Sequence, residues 1–262
     1  MYRIGSSGWA YNSWIGPFYP LNHKSDNLLN LYSNVFNTVE IESTFYAMPD
    51  PKNLYKWYNE TPDNFIFSPK LPKIITYDNI LSNIENMFKS YTNSVRVLDN
   101  KLGITLIQIP PFLDYNNGIN RLKEFIKLFP EDLMFAIEFR NNTWLRNDVY
   151  SLLRDKNIIL GWVERPEISI SDILTSDNIY LRLMGDESVL HKKDFGSIKI
   201  DRTVEITEWA DIIKKNYNNV KNIFIYANNH FQGFTPGTLN ILMEKLGLGK
   251  INLKMDRQKT LF

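Results

Sequence analysis

The sequence predicts an α/β fold of the TIM (β/α)8 type, built as a single domain over residues 1–262. Short apolar runs alternate with polar or aromatic loops and helix-like stretches, which is typical of a parallel sheet, and eight such runs occur. No Gly-rich fingerprint follows the first run, and this disfavours the competing open, doubly wound sheet.

Each predicted strand is a run of mostly apolar residues bounded by polar or turn-forming residues. In chain order these runs cover residues 3–7, 38–45, 65–70, 104–109, 134–140, 158–164, 179–185 and 223–228. Eight parallel strands joined by helices close most naturally into a barrel.

Helices are predicted between the strands from caps and from apolar spacing. Serine, threonine and aspartate cap helices and proline fits the first turn, so we predict helix starts at Ser25, at Asp50 with Pro51, and at Thr235 with Pro236. Apolar residues recur at helical spacing within 122–129, 149–153 and 209–213, which predicts a helix in each of these segments. The link 165–178 has room for only a reduced helix between strands six and seven, whereas the link 71–102 is long enough for an extra helical piece.

Composition excludes several classes of function. Lys and Arg total 30 against 29 for Asp and Glu, so no overall field attracts nucleic acid or anionic lipid, and any anion must be bound locally. The absence of cysteine excludes disulfides, thiol nucleophiles and thiolate metal sites. A strand-like run starts almost at once and no apolar run is long enough to span a bilayer, so we expect a cytoplasmic protein without a signal peptide or a membrane partner.

Two carboxylates share one face of the second predicted strand. Side chains alternate across a strand, so Glu40 and Glu42 point the same way while Val39 and Ile41 point the other. Two acids in an apolar strand are costly unless partners or a substrate compensate them. We therefore predict that Glu40 and Glu42 are catalytic.

Further charged or polar residues lie at the same ends of other predicted strands, where TIM barrels place their active sites. They are Lys70, Gln108, Glu138, Arg140 and Arg182. Internal ion pairs are one explanation, although buried pairs are poor stabilisers. We favour a ligand pocket in which Glu138 is a third catalytic carboxylate, while the cations and the amide bind a phosphate or carboxylate group.

The sequence leaves open which acid has which role. An acid among apolar neighbours has a raised pKa and donates a proton, whereas an acid beside Arg140 or Arg182 stays ionised and acts as base or nucleophile.

Aromatic residues are frequent in the loops at this end, and we include Trp9, Tyr46 and Trp144 in the predicted substrate-binding set. Flat rings suit stacking against sugars or bases. Ordinary packing over the end of a barrel is an equally open alternative.

The loop after the last strand leads into the helix predicted at Thr235. The start of a helix behind the eighth strand is where barrels often hold phosphate, and a glycine lets the backbone approach. We therefore predict an anion-binding set of Asn228, Asn229, His230 and Gly233, with a simple helix cap at Thr235 as the alternative.

No cofactor or metal site is predicted. His23, His191 and His230 follow strands one, seven and eight, which become neighbours when a barrel closes, but no HxH or HExxH spacing is present. A divalent ion held by these histidines with Glu40 or Glu138 is the less favoured alternative.

The chain resembles the YecE-like family, also called domain of unknown function 72, from end to end. The matching segments are IGSSGW at residues 4–9, GPFYP at 16–20, VEIESTFY at 39–46, FSPK at 67–70, LIQIPP at 106–111, EFR at 138–140, YLRL at 180–183, Trp14, Trp144, and the pair Asn228 and Asn229.

The resemblance implies a TIM barrel and no established activity. Family members often carry histidine where this chain has Tyr77, Asn141 and Met184. The resemblance therefore places the chemistry here on the acids, Lys70 and the arginines.

Two functions are compatible with these residues. The first is an enzyme, a hydrolase or lyase, that uses its carboxylates on a small anionic substrate, either phosphorylated or glycosidic. The second is a protein associated with nucleic acid, or another non-catalytic ligand-binding protein, that uses the aromatic loops and a local basic pocket.

Overall fold

The computed structural model describes residues 1–22, 27–169, 171–251 and 253, so the predicted cap Ser25 and His23 lie outside the described residues. All eight predicted strands are present. They are β1 (Tyr2–Ser6), β2 (Thr38–Ile41), β3 (Ile66–Pro69), β4 (Thr105–Ile109), β5 (Phe135–Phe139), β6 (Ile159–Glu164), β7 (Asn178–Leu183) and β8 (Asn222–Ala227).

The strands form a mixed α/β fold with a parallel sheet of six strands in the order β1-β8-β7-β6-β5-β4, and a second parallel pair, β2-β3. Isolated bridges Ser7–Glu40 and Lys70–Leu106 connect the edges of the two sheets. Every residue of β4 and β5 is buried, as expected for parallel strands covered on both faces.

Helices link most of the strands along the chain. In chain order they are α1 (Leu28–Ser33), α2 (Ser43–Tyr46), α3 (Pro51–Glu60), α4 (Glu85–Val95), α5 (Tyr115–Ile126), α6 (Asn147–Asp155), α7 (Thr203–Asn216), α8 (Asn229–Gln232) and α9 (Thr235–Lys245). Short 3₁₀ turns cover Asn12–Trp14, Arg96–Lys101, Asn142–Trp144, Lys192–Asp194 and Tyr217–Asn219, and a π-helical turn covers Ile74–Asp78. No helix of the described ranges is long and apolar enough to cross a membrane.

The core has two layers. A large outer cluster packs the helices against the strands, and it includes Val39, Leu122 and Ile213. A smaller cluster lies on the other face of the strands and includes Leu106 and Tyr180. The predicted alternation of side chains along the strands is therefore present in the packing.

The prediction for β2 was too long. The strand ends at Ile41, and Glu42 precedes the short helix α2. Thr44 stabilises the turn, because its Oγ1 shares its one proton between the carbonyl oxygens of Ile41 at 2.8 Å and Lys70 at 2.7 Å and accepts the Lys70 N–H at 2.9 Å. A hydroxyl that satisfies backbone groups in this way competes with the ladder of a strand.

The helix caps give a mixed outcome. Asp50 caps α3 as predicted, accepting the Lys52 N–H at 2.9 Å. The cap predicted at Thr235 is wrong, because α9 begins at Thr235 itself and the residue at the cap position is Phe234.

Two links, one between β6 and β7 and one between β3 and β4, differ from the usual single helix between neighbouring strands of a barrel. The described residues of the link between β6 and β7 contain turns and bends but no helix, which goes further than the predicted reduction. The link between β3 and β4 holds the π-helical turn, α4 and a 3₁₀ turn, so the extra helical piece is confirmed.

Candidate functional site

Arg182 is the centre of the charged residues at the carboxyl ends of the strands. Its guanidinium has no exposed surface and donates Nε and Nη2 to Glu40 at 2.9 and 2.8 Å. Nη1 donates to Glu138 at 2.6 Å, and Nη2 also reaches Glu42 at 3.1 Å. The structure therefore brings all three predicted acids to one cation.

Glu40 is fully buried and has no acceptor position left for a ligand. Besides Arg182, it accepts the hydroxyls of Ser7 and Tyr180, each at 2.7 Å, so each of its oxygens receives two hydrogen bonds. Burial raises the pKa of Glu40 and the neighbouring Glu42 adds to this rise, while Arg182 opposes it. Its contacts suit a positioning role rather than contact with a substrate.

Glu138 is also fully buried and is held by two arginines. One carboxylate oxygen accepts from Arg182 and the other accepts from Nε of Arg140. Burial alone would raise the pKa of Glu138, but Arg140 and Arg182 outweigh it and lower the pKa to about 2. Glu138 is therefore an ionised partner of both arginines.

Glu42 differs from the other two acids because about a quarter of its side chain is exposed (25%). Its contacts are also longer, with Oε1 at 3.1 Å from Arg182 and Oε2 at 3.4 Å from Lys70. Burial raises the pKa of Glu42, but Lys70 and Arg182 outweigh it and leave the pKa lowered. Glu42 is thus an ionised carboxylate that solvent can reach.

Lys70 lies beside Glu42 at the end of β3. Its Nζ is 4.1 Å from the centre of the Phe45 ring, and within the described part of the chain Glu42 is its one hydrogen-bond partner. An ammonium has three donors, so two remain for a ligand. Burial lowers the pKa of Lys70, while Glu42 opposes the decrease.

Arg140 reaches the surface on the other side of the network, with 10% of its side chain exposed. Its Nη2 donates to Gln108 Oε1 at 3.3 Å, and Gln108 Nε2 donates to the hydroxyl of Tyr77 at 2.5 Å. Tyr77 lies on the π-helical turn after β3. Lys70, with 6% of its side chain exposed, and Arg140 are therefore the two cations of the network with any exposed surface, and we call them the outward cations.

The network of Glu40, Glu42, Lys70, Glu138, Arg140 and Arg182, called the charged network below, contains three acids and three cations. The alternative of internal ion pairs accounts well for Glu40 and Glu138, which are fully buried and paired with arginines. It accounts less well for Glu42, whose exposed edge is not needed for pairing. The chemistry available to a ligand is thus concentrated at Glu42, Lys70 and Arg140.

The predicted aromatic residues lie in different environments. Trp144 is fully buried, stacks on Phe139 with ring centres 4.8 Å apart and donates to the Leu113 carbonyl, so it belongs to the core. Trp9 is half-buried and packs edge-to-face against Trp57. Tyr46 is 70% exposed and packs edge-to-face against Phe45, next to Lys70.

The predicted anion site before α9 is already filled by a side chain. Asn229 Oδ1 accepts the N–H and the hydroxyl of Thr235, each at 3.0 Å, and also Trp14 Nε1 at 3.1 Å. Gly233 has φ 100° and a Cβ there would lie 2.6 Å from the Ser197 carbonyl oxygen, which explains the glycine as a tight backbone turn. We therefore leave Asn229 and Gly233 out of the candidate site.

Asn228 and His230 have local partners at the end of β8. Asn228 caps α8 by accepting the His230 N–H at 3.0 Å, and His230 Nδ1 is 2.7 Å from the Leu190 carbonyl oxygen. Across the described ranges, no group of three or more His, Asp or Glu side chains is arranged to hold a metal ion.

Four contributors to the site were not among the predicted site residues, namely Ser7, Tyr180, Phe45 and Tyr77. Tyr180 precedes Arg182 by two positions on β7, so the alternation along the strand was a usable signal. Phe45 and Tyr77 lie in a helix and a π-helical turn, where no period-two pattern marks the inward face.

Comparison with known proteins agrees with the sequence resemblance. UPF0759 protein YunF of Bacillus subtilis is 28% identical over 100% of both chains, and UPF0759 protein YecE of Escherichia coli K12 is 18% identical over 78% of this chain and 82% of its own. The crystal structure of a DUF72 family protein from Thermotoga maritima has a TM-score of 0.81 at 22% identity, covering 94% of this chain and 98% of that one. One from Enterococcus faecalis has a TM-score of 0.77 at 19% identity, covering 95% and 96%.

The two structural likenesses concern the fold, whereas the family follows from the sequence. The family described as "Protein of unknown function DUF72" matches residues 3–260. Because this match spans nearly the whole chain, the protein belongs to the DUF72 family.

Proposed function

We propose that this protein is an enzyme that acts on a small anionic substrate, in the first instance a phosphate ester, at the carboxyl ends of its strands. The observation that carries the proposal is the position of Glu42. It is the acid of the charged network with an exposed edge, and it lies between the cations Lys70 and Arg182. An ionised, accessible carboxylate beside a cation of lowered pKa is a pair suited to acid-base chemistry.

We infer that the two sheets form one closed TIM barrel and one domain. The bridge from Ser7 to Glu40 supports contact between β1 and β2, and the bridge from Lys70 to Leu106 supports contact between β3 and β4. In a closed barrel the acids of β2 and β5 face the same interior, consistent with their shared partner Arg182.

The proposed roles follow from accessibility. Glu42 takes a proton from the attacking water while the water oxygen forms a bond to phosphorus. Lys70 gives a proton to the ester oxygen while the bond between that oxygen and phosphorus breaks. Arg140 binds the anionic oxygens. Glu40 and Glu138 act as positioning residues, because they fix Arg182 and Arg140.

The test is a turnover assay with a panel of nitrophenyl phosphates, phosphate diesters and glycosides, read as release of nitrophenolate. We expect turnover on a phosphorylated member and a loss of at least about 100-fold in Glu42→Gln, a typical contribution of a general base. The matched control is Glu124→Gln, since Glu124 is 70% exposed on α5 and, among the described residues, its side chain pairs only with Lys127.

Two results would contradict the assignment. Full turnover by Glu42→Gln would show that the carboxylate is not used. Equal losses in Glu42→Gln and Glu124→Gln would show that the assay reports general damage to the protein.

A second candidate, a ligand-binding protein without catalysis, is favoured by one observation. Each carboxylate oxygen of the two buried acids already accepts at least one hydrogen bond, and arginines balance the charge of both acids. In that case methylphosphonate would bind at Lys70 and Arg140, and Glu42→Gln would tighten the binding because it removes a negative charge next to the anion.

A further inference from the structure

Four aromatic side chains form a continuous strip beside the charged network. They are Phe45 and Tyr46 of α2, Tyr77 of the π-helical turn and Phe112 of the loop after β4, and we call this strip the aromatic rim. Ring centres are 5.4 Å apart from Tyr46 to Phe45, 5.4 Å from Phe45 to Tyr77, and 5.9 Å from Tyr77 to Phe112. Each contact is edge-to-face, with interplanar angles of 83°, 86° and 83°.

The two ends of the aromatic rim are open to solvent. Tyr46 is 70% exposed and Phe112 is 60% exposed, whereas Phe45 and Tyr77 are half-buried. Covering a large aromatic face lowers its free energy, so the exposed rings at the two ends of the aromatic rim provide apolar surface for a ligand.

The aromatic rim contacts Lys70 directly and is connected to Arg140 through Gln108. Lys70 Nζ lies 4.1 Å from the centre of the Phe45 ring. Arg140 is linked to the Tyr77 hydroxyl through Gln108, which bonds to both. A ligand whose anionic group meets Lys70 and Arg140 therefore has its remaining atoms next to these rings.

The backbone that carries Tyr77 is irregular. The π-helical turn Ile74–Asp78 is followed by Ile80 and Leu81 with φ of 49° and 59°, a region that residues with bulky side chains rarely adopt. π-Helical turns and strained residues occur frequently at functional sites. This strain supports a role for Tyr77 beyond filling space.

We infer that the aromatic rim binds a planar ring of the same ligand, so that the substrate class is an anion attached to an aromatic or heteroaromatic ring. This inference rests on the anion site of the proposed function. A planar ring fits better than a sugar ring, because sugars need polar partners beside the stacking face. Beside the aromatic rim, both polar ends of Gln108 are engaged and Asn79 Nδ2 is bonded to the Ile74 carbonyl.

The test compares the binding of four probes, phenol and three phosphonates that cannot be hydrolysed at phosphorus. Binding is followed by calorimetry and by ligand-detected NMR. Methylphosphonate carries the anion alone, phenol the ring alone, phenylphosphonate both, and cyclohexylphosphonate a non-planar ring of similar size. We expect phenylphosphonate to bind at least about 10-fold more tightly than methylphosphonate and cyclohexylphosphonate. A gain of this size is typical when a nucleic-acid base stacks on an aromatic side chain.

The variants separate the ring site from the anion site. The double variant Tyr46→Ala with Phe112→Ala is expected to lose the advantage of phenylphosphonate and to bind methylphosphonate like the unmodified protein. Tyr55→Ala is the matched control, because Tyr55 is 61% exposed on α3 and lies outside the aromatic rim. Thermal unfolding confirms that the variants are folded.

Each outcome decides between the two proposals. Equal binding of phenylphosphonate and methylphosphonate, or of phenylphosphonate and cyclohexylphosphonate, overturns the ring site and leaves the anion site standing. Binding of phenol that is lost in the double variant, without any binding of methylphosphonate, supports the ring site and overturns the anion site. A Tyr55→Ala effect as large as that of the double variant also overturns the ring site.

Discussion

Arg182 and Glu40 form a side-on, two-bond ion pair in the interior, with Nε–Oε2 at 2.9 Å and Nη2–Oε1 at 2.8 Å, and neither side chain has exposed surface. The planar guanidinium matches the carboxylate in this geometry, which a lysine ammonium does not reproduce. The pair therefore sets the orientation of the third donor group, Nη1, toward Glu138.

Arg182→Met is expected to lower the free energy of unfolding by about 3 to 5 kcal/mol, because it leaves buried acids without their cation. Urea denaturation measures the change. Arg96→Met is the control, since the Arg96–Asp132 pair is largely exposed and its loss should cost less than about 1 kcal/mol. Equal effects of the two substitutions would contradict a special role of the buried pair.

Tyr180→Phe should lower the free energy of unfolding by about 1 to 3 kcal/mol, since it removes a hydroxyl that donates to the buried carboxylate of Glu40 at 2.7 Å. Tyr91→Phe is a matched control. Tyr91 is equally buried, but its hydroxyl donates to the neutral Thr105 hydroxyl at 3.3 Å. The prediction fails if denaturation shows the larger loss in Tyr91→Phe.

Glu138 should make stability depend on pH in acid. Its pKa is about 2 in the folded protein against an ordinary value of 4.5. Its contribution to the free energy of unfolding is therefore fully present above about pH 4.5 and is lost as the pH falls from 4.5 toward 2. Carboxyl-carbon NMR of Glu138 should show no titration down to about pH 3. A midpoint at or above the ordinary value would contradict the role of the two arginines.

The pH dependence of the proposed activity should be bell-shaped. Lys70 and Arg182 lower the pKa of Glu42 against the effect of burial, so the acid limb should lie below the ordinary value of 4.5. Burial lowers the pKa of Lys70, so the alkaline limb should lie below 10.5.

Lys70→Arg tests the alkaline limb, because an arginine stays protonated and should move that limb upward while lowering the rate. The profile of kcat/KM is the measurement. An alkaline limb that is unchanged by Lys70→Arg would exclude Lys70 as the proton donor.

The sequence was sufficient for the strands and for the convergence of charge. Period-two alternation places Glu138 with Arg140, and Tyr180 with Arg182, on shared faces, and parallel strands bring their carboxyl ends to one side. These relationships depend only on neighbours in the chain and on strand order.

Other features depended on side-chain contacts that neither strand alternation nor helical spacing predicts. Thr44 ends β2 early because it bonds to the backbone of Lys70, and Asn229 fills the start of α9 because its side chain bonds to Thr235. Neither contact has a local signature. The packing of Trp144 in the core, rather than at the site, likewise follows from Phe139 and the Leu113 carbonyl, which approach it in the folded chain.

The ion pairs of Arg182 have a consequence for how the chain acquires its fold. Arg182 and Glu40 are separated by 142 positions in the chain, and Arg182 and Glu138 by 44. A partial assembly of early strands would bury acids without their cation, and a partial assembly of late strands would bury Arg182 with only part of its counter-charge. Stable intermediates made of half of the strands are therefore disfavoured, and Arg182 is one side chain that couples the folding of the two halves.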